Sequence, residues 1–140
     1  MSRVIHTEGA GKERTKLSKA VVLALRELML QTKPDERSKD LAAFIAISLK
    51  KIFELVNQSV IAWEKRGYWV KADRFRLEWE WAEQLGNQMR DAVLDEDWVS
   101  VAMISGQVGQ KFSNVKVSTR NRIGKPWIGS WKALCEESKQ

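Results

Sequence analysis

The chain has 140 residues, a length that leaves room for one domain. Because 44% of the residues are hydrophobic and 30% are charged, the composition is not that of a disordered protein. The single cysteine, Cys135, excludes a disulfide framework and a cysteine-based zinc site, and the single histidine, His6, makes most histidine-dependent chemistry hard to assemble. A formal net charge of +6 favours a polyanionic partner.

The first predicted helix runs from about Thr15 to Gln31 and follows a basic N-terminal segment, residues 1–14, that we expect to be flexible. Its apolar side chains recur at steps of three and four residues, the period of an amphipathic helix. Pro34 follows the helix and breaks it, because proline biases the preceding residue away from helical geometry. The apolar stripe consists of Leu17, Val21, Ala24, Leu25 and Leu28.

The second predicted helix begins near Ser38 or Asp40, which are both favourable N-cap residue types, and continues to about Lys65. Gly67 lies just beyond a basic last turn, a common way for a helix to end. The apolar stripe of this helix consists of Leu41, Ile45, Ser48, Leu49, Ile52, Val56, Val60 and Trp63.

The third predicted helix runs from about Val70 to Leu94, and the fourth from about Glu96 to Ser113. Both carry apolar seams that alternate steps of three and four residues, as in packed helix pairs. The third helix has the strongest periodic signal of the chain, carried by Ala72, Phe75, Trp79, Ala82, Gly86, Met89 and Val93. The seam of the fourth helix consists of Trp98, Val101, Ser105, Val108 and Phe112.

Four helices joined by short connections predict an all-α fold, an antiparallel up-and-down four-helix bundle over residues 15–113. No stretch shows sustained two-residue alternation, so we predict no sheet. Residues 114–140 are predicted to form a basic tail that ends in a short helix near Gly129 to Glu137. A glycine inside a helix costs about 1 kcal/mol relative to alanine, so small residues on the seams predict close packing, with a flexible hinge as the alternative. These residues are Ala82, Gly86, Ala102, Gly106 and Gly109.

The positive charge is concentrated outside the central part of the chain. Residues 20–97 are close to neutral, whereas the stretch from Trp98 to Cys135 contains six basic residues and no acidic one. This asymmetry favours contact with a polyanion. We predict RNA-binding residues in this segment, namely Lys111, Lys116, Arg120, Arg122, Lys125 and Lys132. A second predicted RNA-binding group, where the second and third helices meet, consists of Lys65, Arg66, Lys71 and Arg74.

Seven tryptophans are many for a chain of this length. Those on the apolar stripes, Trp63, Trp79 and Trp98, are expected in the core. Trp69 and Trp81 lie off the predicted seams, which suggests a second apolar face directed toward a subunit or partner interface. Trp127 and Trp131, in the basic tail, leave two alternatives. They dock the tail onto the bundle or a neighbouring chain, or they stack on unpaired bases, and the two roles are compatible. Docking is favoured, because a tail needs apolar anchors to be ordered.

The sequence lacks the residue combinations that catalysis requires. No glutamate is followed by the histidine of a di-iron bundle, and nothing assembles a nucleophile, a base and an orienting group. We therefore expect no enzymatic activity, no metal and no cofactor. No apolar run is long enough to span a bilayer, and the N-terminus lacks the apolar core of a secretory signal. We expect a soluble, cytoplasmic protein that does not bind membranes.

Short motifs across residues 17–113 resemble, in their order, those of a known family. The motifs are Lys33-Pro34 with Glu36-Arg37-Ser38, Leu49, Ile52 and Glu54-Leu55, Lys71-Ala72-Asp73-Arg74 with Arg76-Leu77, and Gln107-Val108-Gly109-Gln110. The chain thereby resembles the accessory variability determinant proteins of diversity-generating retroelements, which are related to bundle proteins encoded in ribosomal RNA intervening sequences. Phe112-Ser113-Asn114 departs from that family's Gly-Gly-Trp, and the tail has no counterpart in the family.

The resemblance implies a four-helix bundle that forms a basic, ring-like homo-oligomer, pentameric in the family. It also implies a non-enzymatic accessory protein that binds a reverse transcriptase and structured RNA. The alternative function is a helical protein-interaction subunit of a larger nucleoprotein complex, without direct RNA binding. A small-molecule or metal-binding bundle is disfavoured because ligand residues are missing.

Overall fold

The structure, a computed structural model, describes residues 7–139, with side chains from Gly9 onward. It is all-helical, as predicted, and no strand occurs in the described range. The predicted short helix in the tail is present as a fifth helix. The helices are α1 (Thr7–Met29), α2 (Glu36–Lys65), α3 (Trp69–Leu94), α4 (Trp98–Lys111) and α5 (Ser130–Ser138).

Helix α2 is the central element of the fold. Its continuous apolar run from Leu41 to Ala46 is buried on every side, as expected of a helix with neighbours all round. It packs extensively against α1, α3 and α5, whereas α4 packs mainly on α3. Among the described helices, none has the length and apolar character required to cross a bilayer.

Helix α1 begins at Thr7, eight residues before its predicted start at Thr15. The prediction of a flexible segment over residues 1–14 is therefore wrong for residues 7–14, and residues 1–6 lie outside the described part. The physical reason is tertiary packing: Ala10 is buried, and the Arg14 guanidinium lies over the rings of Phe75 and Trp79. These contacts stabilise the additional helical turns.

Aspartates that precede α2 and α4 accept hydrogen bonds from N–H groups in the first turn of each helix. Asp35, rather than the predicted Ser38 or Asp40, caps α2 by accepting a hydrogen bond from the Ser38 N–H at 3.0 Å. Asp97 caps α4 and accepts from the Ser100 N–H at 3.2 Å. At the other end of α2, Gly67 adopts a φ of +81°, which glycine tolerates without steric penalty and which turns the chain into α3.

Close backbone packing is found at one of the predicted glycines. A Cβ atom built on Gly86 would lie 3.1 Å from the Leu49 Cβ, so the small residue lets α2 and α3 approach. Gly106 and Gly109 have no heavy atom within 4 Å of such a Cβ, and Ala102 is exposed. The predicted close packing at these α4 residues does not occur within the described chain, because they face outward.

Candidate nucleic-acid interface

The segment between α4 and α5, residues 112–129 (the C-terminal strap), is held against the helices. The guanidinium of Arg26 on α1 donates a hydrogen bond to the Val117 carbonyl at 3.1 Å. Val115 and Ile123 are half-buried against the main core, and Trp127 is inserted into it with 3% of its surface exposed. Apolar side chains therefore fix an irregular segment that has no secondary structure of its own.

Asp40 connects the end of the strap to α2. Its two carboxylate oxygens accept hydrogen bonds from the N–H groups of Trp131, at 2.9 Å, and Gly129, at 3.3 Å. Asp40 thus satisfies N–H groups at the start of α5, where a negative charge also interacts favourably with the helix dipole. Ten residues further along α2, the Lys50 ammonium pairs with the Glu137 carboxylate at 3.0 Å, so α5 lies along α2.

Trp131 is half-buried beside Lys39. The Lys39 ammonium lies 5.4 Å from the Trp131 ring centre, and a hydrogen bond with Glu96, 3.1 Å away, raises the pKa of Lys39. Trp127 lies in the core and Trp131 lies against α2. Both tail tryptophans therefore dock the tail onto the helices, which is one of the two alternatives for them. Neither ring extends freely into solvent.

The strap and its flanks present unneutralised positive charge. All six basic residues predicted to bind RNA in this region have exposed side chains, and none forms an ion pair with a described residue. The docked strap therefore holds four of these cations on a fixed backbone, namely Lys116, Arg120, Arg122 and Lys125. The other two lie on the flanking helices, Lys111 at the end of α4 and Lys132 in α5.

A second basic surface surrounds the α2–α3 connection. Lys65, Arg66, Lys71 and Arg74 are all exposed there, and no described carboxylate pairs with them. The Lys71 ammonium lies 4.5 Å from the Trp63 ring centre. Because the connection follows the last turn of α2, about 37 Å of helix separates it from Asp40, the anchor of the strap's C-terminal end. The strap's first residue, Phe112, lies closer to the connection, against Trp79 and Trp81 of α3.

The two tryptophans predicted at a partner interface have different surroundings. Trp81 is half-buried within the chain: its ring stacks on Trp79, at 5.8 Å between centres, and meets the edge of Phe112 at 5.1 Å. Trp69 is 60% exposed. A role for either residue at a subunit interface stays a prediction.

Arg14 and Asp40 are positioning residues that sequence reasoning missed. Burial lowers the pKa of the Arg14 guanidinium, and the nearby Glu78 carboxylate opposes that shift. Arginine stays charged at neutral pH regardless of this shift. No local signal identifies these roles, because both side chains act on elements distant in sequence. Asp40 resembles an ordinary N-cap, and Arg14 interrupts an apolar stripe.

An apolar groove of about 310 Å³ lies between the end of α1, the α1–α2 connection and α4. Leu28, Pro34, Trp98 and Gly106 line it. The outer side of α4 adjoins the groove and exposes Val99, Ala102, Met103 and Gly106; we refer to these four residues as the α4 face. The signal for it in the sequence is that α4 contains one charged residue, Lys111.

Within the described residues, no group of three or more His, Cys, Asp or Glu side chains is arranged to hold a metal ion. No buried side-chain nitrogen or oxygen atom there lacks a hydrogen-bond partner. The described polar interior therefore has no orphaned group that a ligand would satisfy. Comparisons of this chain with protein-family models, curated proteins and solved structures find no match.

Proposed function

We propose that the protein is a non-enzymatic RNA-binding accessory protein in which α1–α4 form an antiparallel bundle and the C-terminal strap contacts RNA. The supporting observation is a set of six exposed cations, four on the strap and one on each flanking helix, that form no ion pair with a described residue. Asp40, Arg26 and Trp127 fix the strap in place. Binding of such cations to phosphates is favourable because condensed counterions are released from the RNA. A strap that is already ordered loses little conformational entropy on binding.

The strap cations suit a polyanion with regularly spaced charges better than a small anion. They are distributed from Lys111 to Lys132 rather than converging on one point, and the region contains no acidic residue. Structured RNA presents such a series of phosphates. The resemblance to accessory proteins of diversity-generating retroelements supports RNA as the polyanion and a reverse transcriptase as the protein partner.

We propose further that the protein is a homo-oligomer, with a pentamer as the state suggested by the resemblance. The α4 face supports this, since its exposed apolar residues lie beside an apolar groove. Charged substitutions at Val99 and Met103 should then yield a smaller species in sedimentation velocity, with helical content unchanged. An unaltered sedimentation coefficient would remove the α4 face from the oligomer interface.

RNA binding is tested by titrating structured RNA with the wild-type protein and with a variant in which Arg120, Arg122 and Lys125 are alanine. Because these side chains are exposed and form no hydrogen bond or ion pair with a described residue, we expect the variant to fold normally and to bind RNA more weakly. The matched control removes three exposed lysines outside both basic surfaces, Lys16, Lys19 and Lys51. We expect it to bind RNA more tightly than the strap variant.

A protein-interaction subunit that binds no RNA is the second candidate function, and the α4 face is the observation that favours it. Under that function the wild type, the strap variant and the lysine control would behave alike, and none would bind RNA. Charged α4 variants would instead lose a protein partner. The two candidates thus differ in which surface, strap or α4 face, is sensitive to substitution.

A further inference from the structure

Two large aromatic side chains project from the α2–α3 connection. Tyr68 is 55% exposed and Trp69 is 60% exposed, and neither ring contacts another ring or a cation of the described structure. The other six tryptophans are buried or half-buried. Exposing this much aromatic surface to water is unfavourable, so the pair marks a contact surface.

The backbone holds these rings in a defined position. With Gly67 at a φ of +81°, the Tyr68 N–H donates to the Trp63 carbonyl at 2.9 Å, which closes the end of α2. Trp63 in turn packs edge-on against Phe75, with 5.0 Å between ring centres. These contacts hold the connection in place, so that little conformational entropy would be lost when a ligand binds to it.

Basic residues flank the rings along the chain. Lys65 ends α2, Arg66 follows it, and Arg74 lies on the first turns of α3; all three are exposed and lack an ion-pair partner among the described residues. The nearby Asp73 carboxylate is engaged by Arg76. Exposed rings among free cations complement a ligand that has both flat apolar faces and negative charge. Unpaired nucleotides have both.

The geometry points to a stacking platform in which Tyr68 and Trp69 bind unpaired bases of an RNA while Lys65, Arg66 and Arg74 contact its phosphates. This inference rests on the proposed function and adds to it a second contact, to a single-stranded segment, about 37 Å along α2 from the strap anchor. Anchoring in a lipid surface is less well supported, because interfacial helices present a large apolar face. Here the exposed apolar neighbour at the start of α3 is Val70.

The test uses two RNAs, a blunt hairpin and the same hairpin with a single-stranded extension of uridines, and measures binding by fluorescence anisotropy. Stacking contributes an affinity factor of about 5 to 150 for each base. We expect Trp69→Ala to lose a factor in this range for the extended hairpin and none for the blunt one. Tyr68→Ala should show the same pattern. The salt dependence should not change, because no cation is removed.

Leu77→Ala is the matched control, since Leu77 is an exposed apolar residue on the same helix, and it should bind both RNAs as the wild type does. Circular dichroism verifies that each variant folds. If Trp69→Ala and the wild type bind the extended hairpin equally, the platform is refuted while RNA binding by the strap stands. If the wild type binds neither RNA, the proposed function itself fails.

Two further outcomes would contradict the stacking platform, because each would give Trp69 a different binding role. Loss of binding to phosphatidylserine vesicles in Trp69→Ala, with RNA affinity unchanged, would assign Trp69 to a membrane surface. A change in sedimentation coefficient with RNA affinity unchanged would assign it to a protein interface.

Discussion

Asp40, in the first turns of α2, links this helix to the C-terminal part of the chain. Its carboxylate joins α2 to N–H groups that lie 89 and 91 residues later in the chain. Without it, those groups would have to find water or other partners, and the strap would lose its fixed end. The proposed RNA-binding surface therefore depends on a residue that does not contact RNA in our proposal.

Replacing Asp40 by alanine is expected to loosen α5 and the strap. Hydrogen bonds to a charged group contribute about 1.5–3 kcal/mol, so the free energy of unfolding should fall by an amount of this order. Hydrogen exchange should accelerate at the amides of residues 129–139 before those of α2 and α3. Glu54→Ala, which removes an exposed carboxylate from the same helix, is the control; equal exchange in both variants would contradict the role of Asp40.

Gly86 and Gly109 make a matched pair for testing helix packing. Gly109→Ala should stabilise the protein by up to about 1 kcal/mol, because alanine favours helix and nothing obstructs its Cβ. Gly86→Ala should fail to give this gain, since its Cβ would press against the buried Leu49. Denaturant unfolding measures both changes. A gain at Gly86 equal to that at Gly109 would show that α2 and α3 are not in close contact there.

Two helix caps make the stability of the protein sensitive to acid. The hydrogen bond from the Ser38 N–H lowers the pKa of Asp35, and the hydrogen bond from the Ser100 hydroxyl lowers that of Asp97. A carboxyl group with a depressed folded-state pKa stabilises the fold above its unfolded-state pKa, near 3.8, and loses this effect as the pH falls through the folded-state value.

The paired substitution Asp35→Asn and Asp97→Asn tests this behaviour. Asparagine caps a helix about as well as aspartate but has no carboxyl proton to gain, so the variant should lose less stability than the wild type below about pH 4. Thermal unfolding from neutral to acidic pH makes the comparison, and the other carboxyl groups act alike in both proteins. Parallel curves for the two proteins would contradict the account.

The helices are predictable from sequence because their signal is local. The period of about 3.6 residues places the ends of α2, α3 and α4 within a few residues of those observed. The start of α1 is missed, since Arg14 is polar and packs on Phe75 and Trp79 rather than continuing an apolar stripe. The absence of acid from the strap is likewise visible in sequence. Trp127 and Trp131 suggest docking of the tail, but its anchor at Asp40 is not visible in sequence, because those contacts join residues about 90 positions apart.

At the scale of the whole molecule, the charge is divided between two surfaces at separate places on a nearly neutral body. Asp40, near the start of α2, anchors the C-terminal end of the strap, and the surface around Trp69 lies beyond the end of α2. An RNA with a folded part and an unpaired part could contact both. Oligomerisation through the α4 face would repeat the pair of surfaces around an assembly, which would increase avidity for a long RNA.

The most direct measurement is the salt dependence of RNA binding by the wild type and by the variant with alanine at Arg120, Arg122 and Lys125. Each phosphate contact contributes about −0.7 to −0.9 to the slope of log affinity against log salt concentration. If these three residues contact phosphates, the variant's slope should be shallower by about 2. Identical slopes, or wild-type binding that salt does not weaken, would contradict RNA recognition by the strap.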